Sequence, residues 1–133
     1  MIKKSIIVAV LLGILDYIWL YFIFQNTWRK MITNIQLTPM KLNTTYIIPA
    51  YILMTLSIVI FVIPKINSNN ILKDSILYGG CMGLIIYGIF DLTNLIVFKN
   101  YSKNIAFMDI TWGTLLFIIT TYLSKKILIS FEN

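Results

Sequence analysis

The sequence predicts an all-α integral membrane protein: a four-helix bundle in antiparallel up-down order, with both termini on one side. Three observations carry this. Of 133 residues, 59% are hydrophobic and only 12% charged, about half the charge a water-facing domain of this size needs. The mean hydropathy is +0.84. The charges also avoid four apolar runs almost entirely, gathering at their ends.

Residues 1–133 read as one transmembrane domain, with helices at about 5–25, 46–63, 76–98 and 104–123; at 1.5 Å per residue, runs of about 20 cover the hydrocarbon layer. The first run follows Lys3 and Lys4 as a signal peptide would. It is too long for a signal core and contains Asp16, so it is expected to remain as a span. Trp28, Arg29 and Lys30 follow in interface positions, and 27–45 reads as a loop with a short surface helix over 28–35 before Pro39. The second run starts with Pro49 near its first turn, carries no charge and reads as a packing helix. The polar stretch Asn67 to Asn70 breaks the chain before the third run, and Lys99 to Lys103 join the third to the fourth.

Four spans leave Lys3, Lys4, Lys65, Lys73, Lys125 and Lys126 on the side of the termini, and Arg29, Lys30, Lys41, Lys99 and Lys103 on the other. This small excess points to cytoplasmic termini. The net charge of +6 reads as anchoring to anionic lipid head groups rather than nucleic acid, because no basic run or aromatic reading surface lies outside the spans. With no histidine and one cysteine, Cys81, nucleophilic dyads and the commonest metal ligand are absent.

The chemistry lies in three intramembrane carboxylates. Asp16, Asp91 and Asp109 fall in one leaflet, between about 7 and 14 Å below the surface facing the loop at 27–45. Each would cost about 2.5 to 3.5 kcal/mol in lipid, so they are expected to meet inside the bundle. No Lys or Arg shares their depth, a pattern that suits proton exchange or cation binding. The same residues could instead fix helix packing. Trp19, Tyr87, Thr93, Asn94 and Trp112 complete the expected polar site. Gly79, Gly80, Gly83, Gly88 and Gly113 are expected as close-approach positions, with Gly79 and Gly83 in a small-x-x-x-small contact.

The blocks LDYIWL at Leu15 to Leu20, YGIFDLTNLIVF at Tyr87 to Phe98 and MDITWG at Met108 to Gly113 resemble domain-of-unknown-function family 2177 across essentially the whole chain. The resemblance implies a small, mostly bacterial four-span protein and brings no activity with it. Tyr21 stands where such proteins often have Gly, which implies a narrower approach to the site.

Three functions compete on this sequence. The first is a small proton- or cation-coupled transporter or permease in a bacterial inner or plasma membrane, with lipids as neighbours, room for a homodimer and a bound cation, and no cofactor expected. The second is a lipid- or isoprenoid-modifying enzyme, and the third a structural or accessory subunit.

Overall fold

The computed structural model describes residues 1–131, the side chain of Ile23 apart, and every regular element in it is helical. Four helices are long and apolar enough to cross a membrane: α1 (Ile2–Phe22), α3 (Thr44–Lys65), α4 (Ile71–Val97) and α5 (Lys103–Ser130). Between the first two lies the polar helix α2 (Gln25–Gln36). The shortest span has 21 residues, enough at 1.5 Å each to cross about 30 Å of hydrocarbon.

Local chemistry sets the ends. Asn43 accepts a hydrogen bond from Thr45 N at 3.2 Å just ahead of α3, and Ser102 caps α5 by accepting from Ile105 N at 3.4 Å. α1 runs into α2 through a wide π-helical turn at Leu20–Phe24 rather than a break. The polar segment at 25–36 is therefore one ordered helix, ending at Leu37 in a left-handed conformation (φ 58°) two residues before Pro39. α4 and α5 also outrun the ranges read from hydropathy. α5 continues past Lys125 and Lys126 because Leu128 is buried beyond them and Lys126 lies over the Tyr122 ring.

α1 packs against both α3 and α5, and α4 lies along α5. Small residues set the α4–α5 approach: a methyl on Gly83 would stand 2.5 Å from the Gly113 carbonyl oxygen, and one on Gly79 would stand 2.9 Å from Thr121 Oγ1. At the far end Lys3 Nζ sits 3.8 Å above the Phe131 ring, so the two ends of the chain share one side of the bundle.

The outside of the bundle is apolar and its middle polar. Ile14, Leu53, Ile89 and Phe107 are each more than half exposed, whereas Asp16, Asp91 and Asp109 are buried. That inversion suits lipid as the surrounding medium. Two apolar clusters bracket the acids along the bundle. Val8, Leu12, Ile58, Leu116 and Phe117 fill the half near the termini; Phe24, Met31, Tyr101, Ile105 and Ala106 fill the half near α2.

Candidate functional site: a buried carboxyl layer

Asp16 lies one helical turn beyond Leu12 and one turn before Trp19, so α1 carries it from one apolar cluster toward the other. Its two oxygens are both engaged. Trp112 Nε1 on α5 donates to Oδ1 at 3.0 Å, and the Tyr51 hydroxyl on α3 donates to Oδ2. One carboxylate therefore joins three helices.

Asp91 on α4 is completely buried and accepts a 2.8 Å hydrogen bond at Oδ1 from the Tyr101 hydroxyl. Asn94, one turn along α4 on the same face, lies near the same phenol. The Asp109 carboxyl of α5 interacts electrostatically with Asp91, and Asp91 Oδ2 has no hydrogen-bond partner among the described residues. A hydrogen bond from Asp109 would fill that oxygen, and it exists only while one of the two carboxyls carries a proton. Tyr101 itself lies outside the spans, in the turn between α4 and α5. Its burial, then the Asp91 carboxyl beside it, raise the phenol well above its ordinary range, so it stays a donor.

Tyr87 stands within electrostatic reach of Asp16, Asp109 and Asp91. That ring is held edge-on to Phe117, 6.4 Å between centroids, and packs into the space left by the missing side chain of Gly113. Trp19 stacks on Trp112 at 4.7 Å and within 7° of parallel. Phe24 stacks beyond Trp19, Trp28 beyond Phe24, and Trp28 meets Tyr101 edge-on at 6.0 Å. This aromatic column covers the acids on the α2 side. Trp28, placed in an interface position by the sequence, is partly buried and packs one side against this column. The buried Trp19 Nε1 has no partner among the described residues.

Two expected members fall elsewhere. Thr93 is exposed, and its hydroxyl donates to the Ile89 and Phe90 carbonyls of its own helix at 2.6 and 2.9 Å. It sits two residues from Asp91, about 200° around the helix, and faces away from the acids. Gly88 is buried in α4, but a methyl there would meet nothing within 4 Å, so no close contact requires it. Conversely, sequence reasoning passed over Tyr51 and Tyr101, the two phenols that hold Asp16 and Asp91. Among the described residues no three His, Cys, Asp or Glu side chains gather as a metal-ligand group.

A family model described as "Predicted membrane protein (DUF2177)" matches residues 1–125. No curated protein and no solved structure matches the chain.

Proposed function

We propose a function on the premise that the chain belongs to the DUF2177 family of predicted membrane proteins: a small proton- or cation-coupled carrier. In this reading it works as a homodimer in a bacterial plasma membrane with its termini in the cytoplasm. Four helices enclose little volume, and a second copy supplies the remaining wall of a solute path.

The observation that supports the reading is the Asp91–Asp109 pair, buried between two apolar clusters with no Lys or Arg in either. With one shared proton the pair carries a single negative charge, and Tyr101 stabilises it by donating to Asp91. When the proton leaves, two like charges face each other in a low-dielectric layer. That state requires a cation or a change of helix arrangement that admits water. A site that must exchange a proton for another cation is the working part of a coupled carrier.

Infrared difference spectroscopy on the full chain in lipid tests this. A protonated-carboxyl band is expected at neutral pH, to disappear on deprotonation, and to be missing from Asp91→Asn and from Asp109→Asn. Folded protein in which both variants keep the wild-type band would sink the proposal.

A second reading has its own support at Asp16. There the carboxylate bonds to α3 and α5 at once, as a residue fixing helix packing in an accessory subunit would.

A further inference from the structure

A groove of about 970 Å³ runs between α1 and α3, open to the side of the bundle, and no charged residue lines it. Its walls are mostly apolar, with Ser5 and Gln25 as polar lining residues and Tyr17 and Tyr51 between them beside the empty position of Gly13. Tyr21 and Trp28 continue the aromatic lining toward α2. From these features we infer that the groove binds a lipophilic organic cation, entering from the bilayer and held beside Asp16.

Two independent observations bear on that chemistry. The first is charge. Asp16 stands directly behind the groove wall, bonded to Tyr51, while the chain's Lys and Arg lie beyond the apolar runs at either end. A phenol that donates its proton to a carboxylate turns electron-rich oxygen and ring toward the other side, where a cation gains. The second is the aromatic surface itself. Tyr17 and Tyr21 are stacked at 5.6 Å, and with Tyr51 and Trp28 they present the π faces that attract large, weakly hydrated cations.

The volume lies in the range that takes a drug-sized molecule, and the lateral opening selects one that partitions into lipid first. The mostly apolar walls favour a weakly hydrated organic ion over a small, strongly hydrated one. This inference names the substrate class of the proposed carrier; its binding step stands without proton coupling, and its turnover rests on that reading.

The test is equilibrium binding of tetraphenylphosphonium to the full chain in detergent or lipid nanodiscs, with uncharged triphenylphosphine oxide as the shape control. Saturable binding is expected for the cation and at least about tenfold weaker binding for the neutral compound. Asp16→Asn should lower cation affinity by about tenfold or more. Gly13→Leu should abolish it by filling the groove; a methyl there meets no atom within 4 Å, so this variant decides the matter even where Asp16→Asn does not fold.

Equal binding of cation and neutral control, or binding indifferent to Gly13→Leu, would overturn the site. So would a groove found closed by a second copy of the chain, with Gly13→Leu changing oligomeric state but not probe binding. Proton release into lightly buffered medium on binding is expected if the carrier reading holds. Saturable, Asp16-dependent binding without that release would remove proton coupling and leave the cation site standing.

Discussion

Replacing Tyr101 by Phe removes one oxygen atom from the boundary of the carboxyl layer and separates its energetics from its shape. Tyr101 is 6% exposed and its phenol donates to Asp91 Oδ1 at 2.8 Å. Without it a fully buried carboxyl oxygen loses its donor, and a hydrogen bond to a charged group is worth about 1.5–3 kcal/mol. Tyr101→Phe is therefore expected to be less stable by that amount, with the aromatic packing against Trp28 retained.

Unfolding in mixed detergent micelles, followed by tryptophan fluorescence, measures the loss. The pH dependence supplies a second check with a fixed sign. The folded phenol is raised above its ordinary value of 10.0, so its contribution is fully present below pH 10.0 and fades as pH climbs toward the folded value. The gap between wild type and Tyr101→Phe should stay constant up to about pH 10 and close above it. A loss below about 0.5 kcal/mol, or a gap that widens in alkali, would refute the assignment of this phenol as the donor that stabilises Asp91.

Trp112→Phe takes the Nε1–H from Asp16 and weakens the stack with Trp19; a drop of about 1–3 kcal/mol in micelle unfolding is expected, and an unchanged midpoint would contradict it. The glycines of the bundle should divide sharply. Gly113→Ala places a methyl inside the Tyr87 ring and should cost about 1–3 kcal/mol, whereas Gly88→Ala meets nothing and should be neutral or gain up to about 1 kcal/mol of helix propensity. Equal thermal shifts for these two variants would show that the α4–α5 contact is misassigned. Thr93→Val should leave both stability and the carboxyl infrared band unchanged within about 0.5 kcal/mol, since the Thr93 hydroxyl bonds only to its own helix; loss of the band would bring Thr93 back into the site.

Hydropathy and charge placement were enough to specify four spans, because lipid tolerates few charges along a helix and, apart from three Asp, the chain keeps its charges near the ends of the apolar runs. The same cost argument picked out Asp16, Asp91 and Asp109, and helical spacing put Asn94 on the Asp91 face. That spacing also carried what was needed to exclude Thr93, two residues along and turned away. The extents of α4 and α5 were less legible, because a helix continues wherever its backbone and packing allow, well past the point where hydropathy falls. Tyr51 and Tyr101 could not be read at all. Aromatic residues are at home in lipid, at interfaces and in cores alike, and only the approach of α3 to α1, and of the α4–α5 turn to α4, makes two of them donors to buried acids. Gly88 and Gly113 look alike in sequence, yet a neighbouring helix fills the space beside one and leaves the other empty. Sequence determined which groups have to leave the lipid; the packing of the helices decided which partners receive them, because hydrogen bonds depend on positions that a one-dimensional pattern does not contain.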